Sequence, residues 1–227
     1  MHGGPVIFAV LALFCAGCAA TGTARVDMGH ELLAARSEVA TSPPEISYQE
    51  IAFEEPCRFA FDEKASVLEV GNERRFAKGF ALPVGRGSYS VSITSYKAGT
   101  LHDPAIMYPE VQLLDKEYSP IRTLPHTDFV FRPSLSGDGL KTVFFINGVS
   151  QRECFLLITN RPMAEADLTV SQSNITSAMP VGVPFPGGYV MWIVPTGSNT
   201  PPVKMKASPI GEIVVILEEY RPKKIGQ

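Results

Sequence analysis

Cysteine and histidine are where this sequence could do chemistry, and it has four of each. Cys15 and Cys18 stand among small residues near the start, and Cys57 and Cys154 lie far apart in the chain. No C-x-x-C pair occurs, and no histidine stands at ligand spacing from either later cysteine, so no metal site is expected. His2 and His30 belong to the first 30 residues, while His102-Asp103 and His126, two residues before Asp128, fall in predicted loops. A carboxylate can orient a histidine as a general base. Adjacent residues usually point apart, however, so these read as solvated loop side chains. Pro133-Ser134-Leu135-Ser136-Gly137-Asp138-Gly139 lacks the G-x-S-x-G spacing of a nucleophile elbow and reads as a turn. Val84-Gly85-Arg86-Gly87 is too short to cradle a phosphate and leads into a strand rather than a helix, and no cofactor is expected. Glu54-Glu55 and Glu218-Glu219 place carboxylates side by side, not on opposite walls of a cleft as glycoside hydrolysis requires. No catalytic residue is assigned, and the chain reads as a non-enzyme.

The aromatic residues offer binding rather than reaction. A Trp or Tyr ring gives an apolar face and a polar tip, the combination on which a sugar stacks. Trp192 is the only tryptophan, in an apolar strand-like run that also suits core packing. Tyr96, Tyr108 and Tyr118 fall at strand ends or loops. Trp192, Tyr108 and Tyr118 are the candidate ligand-binding residues.

The elements that must position these residues begin with an address. Val6 to Phe14 are nine consecutive apolar residues, followed by Ala16-Gly17-Cys18-Ala19-Ala20. An apolar core followed by small residues is the pattern of an export signal, and it is too short for a spanning helix. Ala16-Gly17-Cys18 resembles a bacterial lipobox, with Cys15 where leucine is usual, so lipidation of Cys18 and removal of residues 1–17 are expected. Cleavage after Ala24 with release of a soluble protein is the alternative. Export leaves Cys57 and Cys154, an even pair in an oxidising compartment, and a disulfide is expected between them. It would close a loop of about 100 residues, worth about 4–5 kcal/mol in the chain-entropy view. Two separate buried thiols are the alternative.

Residues 18–47 read as a lipid-anchored tether. Val26–Ala40 form either a short helix or a disordered spacer, ended by Ser42-Pro43-Pro44. About 30 flexible residues would reach about 30 Å. From residue 48 the signals are strands and turns. Ser88 to Thr94 alternate strictly, with Tyr89, Val91 and Ile93 toward the core and the serines toward solvent. Thr142–Ile146 and Glu153–Thr159 flank Asn147-Gly148 as a predicted hairpin. Arg161–Leu168 could make one or two helical turns, and the prolines at 180, 184 and 186 predict a loop over 175–188. Tyr189–Val194 and Glu212–Leu217 are apolar runs fit for central strands. Short strands punctuated by Gly, Pro, Asn and Asp predict an all-β fold, an antiparallel sandwich or partly open barrel over 48–221, with 222–227 as a tail.

Composition agrees. The 227 residues are 45% apolar and 19% charged, enough for a packed core. The net charge of −3 provides no basic excess for a phosphate backbone, so nucleic acid is excluded as a main partner.

The order of several stretches resembles a known family. They are Phe80-Ala81-Leu82-Pro83, Tyr89 to Ser95, Pro109 to Asp115, Tyr118-Ser119-Pro120-Ile121-Arg122, Phe129-Val130-Phe131, the 142–159 segment and Gly211 to Leu217. Over about residues 59–217 the chain resembles the maltose operon periplasmic protein (MalM) family. The resemblance implies a β-rich periplasmic accessory protein of maltodextrin uptake, and it transfers no catalytic residues. A lipid on Cys18 departs from the soluble periplasmic form of the family, and Ala19 rather than Asp after that cysteine points to outer-membrane anchoring, with a maltodextrin or an envelope protein as the expected partner. A structural subunit of an outer-membrane complex and an envelope hydrolase are the alternatives.

Overall fold

The structure, a computed structural model, describes residues 20–100, 102–124, 128–132, 137–147, 151–161, 168–170, 177–185, 188–196 and 203–219. Its centre is β5 (Tyr89–Gly99), the strand with the clearest alternation. Tyr89, Val91 and Ile93 are fully buried, as the period of two requires. Ser90 and Ser92 take the other face but are buried too. The reason is that β5 lies between β10 (Gly139–Ile146) and β16 (Gly211–Glu219). Val143 and Ile216 stand opposite Ser92, and Phe145 stands opposite Ser90, so longer side chains flank each serine.

Two layers enclose the core. The first sheet runs β1 (Tyr48–Glu50), β4 (Glu73–Ala81), β11 (Phe155–Asn160), β7 (Pro109–Leu114) and β8 (Pro120–Leu124), with β3 (Ser66–Val70) also paired to β4. The second holds β2 (Cys57–Phe61), β16, β5, β10 and β9 (Val130–Arg132). It is extended through β6 (Pro104–Met107), β15 (Val203–Ser208) and β12 (Leu168–Val170). All pairings are antiparallel except β1 with β4 and β15 with β6. The two sheets pack face to face without closing, which makes the fold a β-sandwich and not a barrel. Phe59 and Phe61 of β2 meet Phe80 and Phe76 of β4 across the interior, with ring centroids 5.3 and 6.1 Å apart. The buried amide of Phe76 donates to Asn160 Oδ1 at 2.6 Å, so a polar side chain in the core is satisfied by the backbone.

Two sequence expectations change, and a third falls largely outside the described residues. Residues 142–159 are not a hairpin: β10 pairs within the second sheet and β11 within the first, so the segment through Asn147 crosses between layers. The loop expected over 175–188 is largely a strand, β13 (Ser177–Phe185), paired with β14 (Gly188–Thr196), which contains the strand expected over Tyr189–Val194. Among the described residues β13 pairs on one side only, which is where Pro180 and Pro184 are tolerated. The helical turns expected over 161–168 lie largely outside the described residues, and Leu168 belongs to β12.

The segment expected as a tether carries a helix, α1 (Gly22–Ala35), starting earlier than its apolar pattern suggested. Thr21 caps it, its hydroxyl accepting from the Ala24 amide at 3.2 Å. The helix is laid against the sandwich. Leu33 is buried, and Gly29 packs tightly on Pro209, whose ring atoms a Cβ there would meet at 3.0–3.1 Å. The Arg74 guanidinium donates to the carbonyls of Leu33, Ala34 and Arg36 at the helix end, where unpaired carbonyls favour a cation. A 3-10 turn over Pro43–Glu45 follows.

Candidate functional site

Among the described residues, none of the other strands pairs over the outer face of the second sheet. Register sets the layout: Val130, Lys141, Thr94, Val214 and Arg58 form one row across β9, β10, β5, β16 and β2. The next row holds Val143, Ser92 and Ile216, and the one beyond it Phe145, Ser90 and Glu218. In the other direction Tyr96 stands opposite Gly139, where a Cβ would come within 2.4 Å of the Ser95 carbonyl oxygen. A glycine is therefore required there, and β10 brings no side chain to its side of the tyrosine ring. The result is an open groove of about 730 Å³. Val130, Val143, Val214, Ile216 and Thr94 line it, with Tyr96, Gly137, Lys141, Arg132 and Asp128 also around it.

Its electrostatics are mixed. Arg58 pairs with Glu212 and places its guanidinium 5.7 Å from the Tyr96 ring centre. Lys97 Nζ and Asp138 Oδ2 pair at 2.7 Å beside the Gly137 end. Arg132, Lys141 and Asp128 are exposed. Val130, Val143 and Phe145 are about half exposed, an unusual amount of large apolar surface for one sheet face. An apolar floor edged by donors and acceptors fits a ligand that is apolar on its ring faces and hydroxylated at its edges.

The residues expected to bind ligand are not gathered there. Tyr108 is buried where the chain passes from β6 to β7, its ring 5.9 Å from Phe129, and burial raises its phenol pKa. Tyr118 lies at the first sheet, stacked on Phe155 at 4.4 Å and 5.2 Å from Tyr48. These rings pack against a small second core that includes Ile46, Leu68, Leu114 and Leu157. Tyr118 holds a left-handed backbone (φ 62°), in a turn where Asp115 Oδ1 accepts from the Glu117 and Ser119 amides. Trp192 is in β14 opposite Val181. Cys18 and His126 lie outside the described residues.

The disulfide expected between Cys57 and Cys154 is not formed; both are half-buried free thiols. Cys57 opens β2 in the second sheet, opposite Val215. Cys154 precedes β11 in the first, its amide donating to the Leu114 carbonyl and its carbonyl accepting from Leu82. Asp103 is engaged with Thr23 and Lys206, so its polar contacts do not serve His102. No cluster of three or more His, Cys, Asp or Glu placed to hold a metal occurs among the described residues.

The groove residues Asp128, Val130, Arg132, Lys141, Val143, Val214 and Ile216 were not singled out from the sequence. One signal was present. Leu140, Thr142, Phe144 and Ile146 alternate with Lys141, Val143 and Phe145, so β10 is apolar on both faces. Either a second layer or a binding surface must meet the outer face.

Fold and groove together define a β-sandwich module that presents one sheet face to its surroundings. The family model of the maltose operon periplasmic protein precursor (MalM) matches residues 72–187, just over half of the chain, and the chain belongs to this periplasmic family. The matched span includes Thr94, Tyr96, Asp128, Val130, Arg132, Lys141 and Val143 of the groove; Arg58, Val214 and Ile216 lie outside it. Comparison with curated proteins and with solved structures returns no match.

Proposed function

We propose that this chain is a non-enzymatic accessory protein of maltose and maltodextrin uptake that binds a short α-glucan in the groove of the second sheet. In this reading residues 1–17 are removed on export and a lipid on Cys18 holds the protein to the outer membrane. The observation that carries the binding role is the groove itself, with Tyr96 at one end, an apolar floor and Asp128, Arg132 and Lys141 around it. Family membership supports the choice of sugar.

Calorimetric titration of the purified mature protein tests this, with maltotriose to maltoheptaose as ligands and a cellulose oligomer as control. Saturable heat with the α-glucans alone is expected. No heat with any of them overturns sugar recognition. Exposure of Phe145 and Val143 favours a second reading, in which the same face docks on an envelope protein. That reading predicts cross-linking from Phe145 to one partner in intact cells.

A further inference from the structure

Resting on the lipid-anchor reading, we propose that the domain is clasped to the phospholipid surface without slack. The corner made by the first turn of α1, the β5–β6 turn and β15 then faces the headgroups. Only residues 19–21 separate Cys18 from the first residue of α1, a span of at most about 14 Å when extended. A reach of tens of ångströms would require α1 to leave the domain. The structure opposes that at both ends of the helix.

At its start, the Gly22 amide donates to the Asp103 carbonyl oxygen at 2.8 Å, and the Thr23 amide and hydroxyl donate to Asp103 Oδ2 at 3.0 and 2.9 Å. Lys206 Nζ sits 2.9 Å from Asp103 Oδ1 and also reaches the Thr23 hydroxyl. A Cβ at Gly22 would fall 2.7 Å from the Asp103 carbonyl oxygen, so close approach of helix and turn needs glycine. At its end, Arg74 holds the last carbonyls and Leu33 is buried.

The clasp also sets where the groove stands. A Cβ at Gly99 would lie 3.1 Å from the Gly22 nitrogen, and Tyr96 is three residues earlier on β5, about 10 Å along the strand. The Tyr96 end of the groove is therefore held toward the membrane. The 83–88 loop, before the opposite end of β5, is about 30 Å farther along the strand direction.

The test uses the full chain exported from a bacterium, with Cys57 and Cys154 replaced by serine and a fluorophore placed through His102→Cys or Val84→Cys. The protein is bound to phosphatidylethanolamine–phosphatidylglycerol vesicles carrying a headgroup nitroxide quencher. Several-fold stronger quenching at position 102 than at 84 is expected. Inserting ten Gly/Ser residues after Ala19 should bring the two positions toward equality. Equal quenching in the uninserted protein, with the protein still sedimenting with vesicles and Cys18 carrying acyl mass, overturns the pose alone. Absence of both sedimentation and acyl mass overturns the lipid reading and this inference with it.

Discussion

Lys206 of β15 and Asp103 of the β5–β6 turn stand 2.9 Å apart, and the same carboxylate receives the amide and hydroxyl of Thr23. This junction joins three parts of the chain that are distant in sequence. It turns a segment that reads as a tether into part of the domain. Asp103→Ala removes the acceptor for all three donors, while the Gly22–Asp103 backbone bond survives. The first turn of α1 should then fray while the sandwich stays folded. Amide exchange should speed up over residues 22–26 and stay unchanged in β5 and β16. Unchanged exchange at Thr23 would show that the backbone bond alone holds the helix.

The junction has a defined acid limit. The Thr23 amide, followed by Lys206, holds the Asp103 carboxyl down to about 2. A group depressed in the folded state contributes above its unfolded value and loses that contribution as pH falls through the folded one. Docking of α1 should therefore be level from pH 8 to about 4, and should weaken only as pH falls from about 4 toward 2. The amide shift of Thr23 followed by NMR should titrate with a midpoint near the lower end of that window. A midpoint at an ordinary carboxylate value would mean that the contacts do not favour the ionised form.

Burial raises the thiol pKa of both Cys57 and Cys154, and the Asp115 carboxylate adds to the effect at Cys154. Fewer thiolates and partial shielding both slow alkylation. The native protein should react slowly with iodoacetamide at pH 7, and both cysteines should react fully after unfolding without reductant. Recovery of a Cys57–Cys154 linked peptide from the exported protein would contradict this.

Some of this architecture was readable before any coordinates. Tyr89, Val91 and Ile93 declare the buried face of β5 by strict alternation, and the apolar run that holds Val214 and Val215 marks β16 as a strand. Layer assignment was not readable. Asn147-Gly148 signals a turn, but whether the next strand pairs with β10 or crosses to the other sheet depends on non-local registers. The expected disulfide failed for the same reason, because spacing does not say which sheet each cysteine joins. Tyr108 reads as a strand-end or loop tyrosine, yet it is buried where the chain passes from β6 to β7. The groove draws on four strands, and no local pattern places Val130 in a row with Val214.

The groove and the core make opposite demands, and a pair of substitutions separates them. Phe80 is fully buried at the meeting of the sheets, so Phe80→Ala should cost about 3–5 kcal/mol of stability through lost transfer energy and an unfilled cavity. Tyr96 lies at the open end of the groove, partly exposed, with the Arg58 guanidinium over its ring. Tyr96→Ala should therefore change stability much less, by about 1 kcal/mol. If a pyranose stacks there, the loss of that contact should weaken α-glucan binding about tenfold, as for a contact of about 1.4 kcal/mol. Denaturant midpoints and calorimetric titrations of the two variants read these effects independently. Tyr118→Ala, at the other sheet, should leave glucan affinity unchanged. A reversed pattern, with affinity lost at Tyr118 and kept at Tyr96, would move the sugar site to the first sheet and leave the second face to a protein partner.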